Sequence, residues 1–161
     1  MPIQSNSTMS RNTSFAQEMA EISRVRQERR AKVSVYPTLS VVIATVRPHD
    51  LENILKQMLK QSMPKFEIVL GLHNIELNSA HKTLITKLKA RKVTVTSIKF
   101  AKSATLGEIL STLCEKSNGE YISKIDDDDY YGPEHLRDLL DTALDTGAEV
   151  VGRAMNYVYL E

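Results

Sequence analysis

Four consecutive aspartates at residues 126–129 are the part of this chain whose residue types and spacing most clearly indicate chemistry. They follow the apolar Ile125 and precede Gly132 and Pro133. Four adjacent carboxylates repel one another unless a positive group lies among them. Because Mg²⁺ and Mn²⁺ bind one or two carboxylates and complete their coordination with phosphate oxygens and water, the run predicts a divalent-cation site that also holds a diphosphate.

Two other interpretations of the acidic run are a solvated loop and an EF-hand. Like-charge repulsion argues against a solvated loop without function. Counted from Asp127, the later ligand positions of an EF-hand fall on Tyr131, Pro133 and Asp138, and a strand rather than a helix precedes the run. The ligand spacing of an EF-hand therefore fails.

The bulk composition is that of one soluble globular domain. The chain has 161 residues, of which 42% are hydrophobic and 25% charged. Its net charge of +1 favours no nucleic-acid partner. A single cysteine, Cys114, excludes a disulfide framework, and no apolar run reaches the ~20 residues of a membrane span. We expect a cytoplasmic protein, and attachment to the inner face of a membrane is the alternative.

The N-terminal region is predicted to precede the domain. Residues 1–13 are polar and without pattern, as in a disordered leader. Residues 14–35 predict a basic amphipathic helix and linker, in which Phe15, Met19 and Ile22 share one face. We expect that face to pack on the domain or on a neighbouring domain, and a membrane-surface helix is the alternative.

Strand-like and helix-like segments alternate through residues 36–161, which we treat as one domain. Strands are predicted at residues 39–45, 66–72, 92–98, 121–125, 149–151 and 155–160, with helices between residues 48 and 63, 79 and 90, 106 and 118, and 133 and 147. This alternation predicts an α/β fold with a mostly parallel sheet and helices on both faces. Ligands bind such sheets beyond the carboxyl ends of the strands, where the loops 45–49, 72–78 and 126–132 follow.

Three segments resemble family 2 glycosyltransferases with the GT-A fold. Residues 119–130 resemble the strand and DxD motif of that family, residues 39–48 its first strand and nucleotide loop, and residues 57–69 its next helix and strand. The three occur in the family's order and spacing. The resemblance implies a GT-A, Rossmann-like domain that transfers a sugar from a nucleotide-diphospho-sugar, with a UDP-sugar favoured, to a glycan, a lipid-linked acceptor or another hydroxyl. It covers the donor-binding half, so we expect the acceptor site and the catalytic base beyond Glu161.

The resemblance also implies roles for individual residues. Asp126 and Asp128 match the two acids of DxD, with Asp128 as the main ligand of Mn²⁺ or Mg²⁺ and Asp126 and Asp129 as further metal ligands. Asp126 is also expected to contact the sugar or ribose, and Asp127 takes the variable position. The residues expected to bind the donor are Ala44, Thr45, Arg47, His73, Gly107, Asp126 and Asp127.

Two departures from the family pattern leave alternatives open. The family's Asp-Asp-Gly-Ser after the second strand is replaced by residues 72–75, Leu-His-Asn-Ile, so the identity of the nucleotide base stays open. The second departure is that the chain ends before the region where the family places its catalytic base. Together the two departures permit a non-catalytic, degenerate binding module. A nucleotidyltransferase is a weaker alternative, because the loop after the first strand lacks the glycines that cradle a triphosphate.

Overall fold

The computed structural model describes residues 14–153 of the chain. The leader at residues 1–13 and the strand predicted at 155–160 lie outside the described residues. The elements are α1 Phe15–Ala31, β1 Leu39–Thr45, α2 Pro48–Met58, β2 Glu67–His73, α3 Ser79–Ala90, β3 Thr94–Phe100, α4 Leu106–Glu115, β4 Tyr121–Asp126 and α5 His135–Thr146. In the described part of the chain, no helix is both long and apolar enough to cross a bilayer.

The four strands form one parallel sheet in the order β3-β2-β1-β4. The chain thus builds outward from β1 through β2 to β3 and then returns to the other side of β1. Ala44 near the end of β1 is in register with Asp126 at the end of β4. The strand order reverses between β1 and β4, which opens a crevice at their carboxyl ends.

Helices cover both faces of the sheet, which confirms the predicted α/β fold. The larger core joins alternate residues of β1 and β2 to α2, α3 and α5, with Val41, Ile43, Ile68 and Leu70 fully buried. On the opposite face Val42 and Val69 pack against α4. Because both faces are buried, β1 and β2 carry near-continuous apolar runs.

Several predicted boundaries were wrong. The third strand begins and ends two residues later than predicted, at Thr94–Phe100. No strand forms at residues 149–151, where Val150 is exposed. The start of α4 also differs from its apolar pattern, because Leu106 faces solvent while Ile109 and Leu113 are buried. Helix α5 begins at His135 rather than at Pro133.

The helix predicted between residues 106 and 118, with Gly119 as its end, is shorter in the structure. The helix ends at Glu115 with Lys116 as its cap, and Gly119 instead lies against β1. Its amide donates to the Ser40 hydroxyl at 2.8 Å, and the hydroxyl donates to Glu67 at 2.5 Å. The close approach of two backbones, rather than a helix cap, requires glycine here.

Helix α1 packs on α5 through charge rather than through its apolar stripe. Phe15 is 78% exposed, and Met19 and Ile22 are also exposed. Arg26 instead forms two hydrogen bonds with Asp138, at 2.8 and 2.7 Å. Burial by itself would raise the pKa of Asp138, but the hydrogen bonds from Arg26 and the charges of Arg26, Arg153 and Arg30 together outweigh burial and lower that pKa. The stripe expected to pack on the domain therefore faces solvent within the described part of the chain.

We predict that Gly119→Ala destabilises the protein by about 1–3 kcal/mol, because the new Cβ has no space. An ideal Cβ at Gly119 lies 2.5 Å from the Ser40 amide nitrogen and 2.8 Å from the Tyr121 carbonyl oxygen, and both are backbone atoms. Urea denaturation gives the free energy of unfolding.

Gly107→Ala is the matched control. A Cβ at Gly107 meets nothing within 4 Å, and the residue lies in α4, where alanine favours helix by up to about 1 kcal/mol. Gly107→Ala should leave stability unchanged or slightly higher. Equal effects of the two substitutions would contradict the packing at Gly119.

Candidate functional site

The crevice between β1 and β4 holds a cavity of about 350 Å³, which we call the β1–β4 cavity. Six of the seven residues expected to bind the donor line it, together with Asp128: Ala44, Thr45, Arg47, His73, Asp126 and Asp127. The seventh, Gly107, does not line the cavity, although its neighbour Leu106 does. Asp129 lies on the far side of the acidic loop, in an adjacent cavity. The fold thus brings together most of the site predicted from the sequence.

Asp127 ties the acidic loop to the loop after β1. Its side chain is only 6% exposed, although the resemblance places it at the variable position. One carboxylate oxygen accepts a hydrogen bond from the Thr45 hydroxyl at 2.5 Å, and the other accepts from the Arg47 guanidinium. Both oxygens of this buried acid are therefore engaged inside the protein, as a buried charge requires.

Arg47 is the cation among the aspartates. Besides Asp127, its guanidinium lies 2.9 Å from Asp128 and 2.9 Å from Asp50. The hydrogen bond to Asp127 is the main reason that the pKa of Arg47 is raised, so the side chain stays charged. The guanidinium is half-exposed, and its fork of donors suits carboxylate and phosphate oxygens alike.

The protein itself supplies part of the positive charge that the acidic run needs. Lys124 contacts both carboxylate oxygens of Asp126 at 2.5 Å, and Arg47 serves Asp127 and Asp128. The interpretation of the sequence assigned this compensation to a metal ion alone. Both basic residues could have been identified from the sequence, because Lys124 lies two positions before the acidic run and Arg47 follows β1.

Two glutamines of the α2 segment hold the backbone of the acidic loop, and the sequence interpretation missed both. Gln57 donates to the Asp129 carbonyl at 3.2 Å and accepts from the Tyr131 amide at 2.6 Å. Gln61, which is 1% exposed, donates to the Gly132 carbonyl at 2.9 Å. Gln61 lies beyond the end of α2 at Met58, so helical spacing does not link the two residues, and the local sequence carried no signal of their role.

Tyr131 fixes the loop from the inside. Its hydroxyl accepts a hydrogen bond from the Asp126 amide at 3.0 Å, and its ring meets His135 edge-on at 4.7 Å. Burial is the main reason that the pKa of Tyr131 is raised to about 12. The hydroxyl therefore stays protonated at neutral pH and adds no further charge beside the aspartates.

The end of β2 places His73 at the other wall of the cavity. The His73 ring nitrogen Nε2 lies 3.2 Å from the Lys102 carbonyl oxygen, so it donates to that oxygen. Asn74 follows in the left-handed backbone region, with φ of 55°, and its amide donates to Phe100 at 3.0 Å. The tight turn at Asn74 holds the histidine at the edge of the cavity.

Comparison with known proteins decides the family. Residues 40–159 match the model of Glycosyl transferase family 2. The chain belongs to this family. No curated protein matches it. Among solved structures, TarS of S. aureus is 21% identical, with a TM-score of 0.56, over 74% of this chain. The mannosyltransferase PcManGT of Pyrobaculum calidifontis, in complex with GDP-Man and Mn²⁺, is 17% identical, with a TM-score of 0.55, over 84% of this chain.

The two solved structures support the GT-A fold of this chain and extend well beyond it. The matched region spans 23% of TarS and 41% of PcManGT.

The acids expected to hold a metal do not form one cluster in this family 2 chain. Within residues 14–153, no three His, Cys, Asp or Glu side chains are placed to bind a metal ion together. Asp128 is nevertheless 55% exposed at the cavity, and one carboxylate with diphosphate oxygens and water is sufficient for Mg²⁺ or Mn²⁺. The donor set at Asp128 therefore fits such a cation.

We predict that Asp127→Ala destabilises the protein by about 2 kcal/mol, because it removes two hydrogen bonds to a buried carboxylate. Urea denaturation at neutral pH measures the change in unfolding free energy. Asp129→Ala is the control, since Asp129 is exposed and its side chain accepts only a long hydrogen bond from Tyr131 in the described part, at 3.4 Å. It should change stability by less than about 0.5 kcal/mol. If Asp127→Ala were as mild as the control, the tie between the loops would be refuted.

Proposed function

We propose that this family 2 chain binds a nucleotide-diphospho-sugar in the β1–β4 cavity and serves the metal-assisted transfer of its sugar to a hydroxyl acceptor. One observation carries the proposal. Thr45, Arg47 and the aspartates at residues 126–128 line a single cavity at the point where the strand order reverses. In open α/β sheets, this point is where nucleotides bind.

Each residue of the cavity has a proposed task. Arg47 binds diphosphate oxygens, because its guanidinium is half-exposed and carries a permanent charge. Asp127 positions Arg47 and Thr45 and does not contact the metal, because both of its oxygens are already engaged. Asp128 is the proposed metal ligand, and Asp126 faces the sugar or ribose from the end of β4.

The proposed cation is Mn²⁺ or Mg²⁺, and PcManGT has been solved with Mn²⁺. When bound, the cation neutralises the charge that develops on the diphosphate as the sugar leaves. Arg47 supplies a second positive charge on the same side of the cavity. Its contact with Asp128 implies that the diphosphate and the aspartate share one guanidinium when the donor binds.

The nucleotide base is proposed to lie toward His73, on the β2 side of the cavity. The resemblance favours a UDP-sugar, whereas PcManGT was solved with GDP-Man. Both donor classes therefore belong in the test of the proposal.

We predict that the full chain binds a nucleotide-diphospho-sugar in the presence of Mn²⁺ and that Asp128→Ala weakens this binding about tenfold or more, because a metal ligand is lost. Isothermal titration calorimetry with UDP-glucose, UDP-N-acetylglucosamine and GDP-mannose measures the affinities. EDTA should reduce the affinity of the wild-type protein to that of the variant.

Glu115→Gln is the matched control for this titration. Glu115 is an exposed acid at the end of α4 and lines neither the β1–β4 cavity nor its neighbour, so its removal should leave donor affinity unchanged. The proposal fails if none of the donors binds, or if binding is indifferent to both Asp128→Ala and EDTA.

A further inference from the structure

A small cavity lies at the amino ends of the strands, and we call it the amino-end cavity. It has a volume of about 190 Å³ and is lined by the residues that lead into β1, β2, β3 and β4. Leu39 begins β1 at this cavity, and Thr45 ends β1 at the β1–β4 cavity. The length of β1 therefore sets the two cavities roughly 20 Å apart, and the proposed donor site leaves the amino-end cavity unused.

Much of the lining of the amino-end cavity is apolar. Leu39 and Phe66 are buried core residues, and Tyr36 and Pro37 lie beside them in the lining. An apolar cavity of about 150 Å³ is sufficient to hold one benzene ring. The apolar part of the cavity therefore suits a ligand body of about the size of a single aromatic ring.

The acid and the amide of the lining are already bonded within the protein. The Glu67 carboxylate accepts hydrogen bonds from the Ser40 hydroxyl at 2.5 Å and from the Asn118 backbone amide at 2.6 Å. The Asn118 side-chain amide donates to the same carboxylate at 3.1 Å. The Tyr36 hydroxyl in turn donates to Asp141 at 2.7 Å. A ligand that needs many hydrogen bonds, such as a sugar, would find few partners here.

Two lysines supply the charge that the cavity has to spare. Lys65 and Lys92 both line it and are exposed, and neither forms an ion pair within residues 14–153. The only acid of the lining, Glu67, has its carboxylate occupied by Ser40 and Asn118. The two ammonium groups therefore attract an anion to the rim of an apolar cavity.

The backbone of Lys92 is a second, independent observation. Its φ of 63° lies in the left-handed region, which glycine adopts without strain and lysine does not. Its amide donates to the Lys89 carbonyl at 2.9 Å and that of Val93 to the Leu88 carbonyl at 3.1 Å, which closes α3 in the motif that usually contains glycine. The end of the helix alone would favour glycine, and strain of this kind is typical of ligand sites.

We propose that the amino-end cavity binds a small anion with one aromatic ring, such as an aryl phosphate. The ring packs against Leu39 and Phe66, and the anionic group pairs with Lys65 and Lys92. Ammonium groups bind phosphate oxygens as point charges, and the apolar lining distinguishes an aryl phosphate from free phosphate. This site uses neither a metal ion nor the aspartates at residues 126–129, so it goes beyond the proposed function and does not depend on it.

The test is an NMR titration of the full ¹⁵N-labelled chain with phenyl phosphate, in EDTA so that no divalent cation contributes. Inorganic phosphate supplies the charge without the ring, and benzyl alcohol supplies the ring without the charge. Phenyl phosphate should shift the amide signals of Lys65, Lys92 and Gly119. It should bind at least about fivefold more tightly than either of the other two probes.

Lys92→Gly should change stability and affinity in opposite directions. The urea midpoint should rise, because glycine adopts a φ of 63° without strain. Phenyl phosphate binding should weaken about two- to fivefold, the range for the loss of an exposed ion pair. Lys65→Gln should weaken binding by a similar factor and leave the urea midpoint unchanged. A purely structural role of Lys92 would move the midpoint alone.

Lys89→Gln is the matched control. Lys89 is an exposed lysine in the last turn of α3 and does not line the amino-end cavity, so its removal should leave phenyl phosphate affinity unchanged. The inference is overturned if phenyl phosphate shifts none of the three signals, if the shifts centre on Thr45 and Arg47, or if either simpler probe binds as tightly. Equal losses for Lys89→Gln and Lys92→Gly, or a raised midpoint with unchanged affinity in Lys92→Gly, would also overturn it.

Discussion

The hydrogen bonds that Asp127 accepts from Thr45 and Arg47 hold the candidate site together. They join the loop after β1 to the loop after β4, and these loops are separated by most of the domain in sequence. Both oxygens of the buried Asp127 carboxylate are engaged in these contacts, whereas the Asp128 carboxylate is exposed at the cavity. The crevice where the strand order reverses thus becomes a site with two exposed acids, Asp126 and Asp128, and one exposed guanidinium.

The acidic loop is built on two supports with different chemistry. On one side Arg47 and Lys124 offset part of its charge, and on the other Gln57 and Gln61 form hydrogen bonds with its backbone. Neither support requires a metal ion, so the loop is preorganised by the protein. A cation and a diphosphate would then add to an existing arrangement, which reduces the conformational cost of binding.

The fold and much of the site were predictable from the sequence, because buried parallel strands carry unmistakable apolar runs and their carboxyl ends place the loops. What escaped prediction depended on contacts distant in sequence. The burial of Asp127, the support from Gln61 and the close approach of Gly119 to Ser40 each need a partner that local patterns do not reveal. The stripe of Phe15 and its neighbours predicted burial by periodicity, whereas charge pairs with α5 determine how α1 packs.

The most direct measurement of the central claim is paramagnetic line broadening by Mn²⁺ in the NMR spectrum of the full chain with UDP or GDP present. The account predicts that the amide signals of Thr45, Arg47 and Asp128 broaden first and that Asp128→Ala abolishes this selectivity. Broadening that begins elsewhere in the described chain, or that persists unchanged in the variant, would contradict a metal–diphosphate site in the β1–β4 cavity.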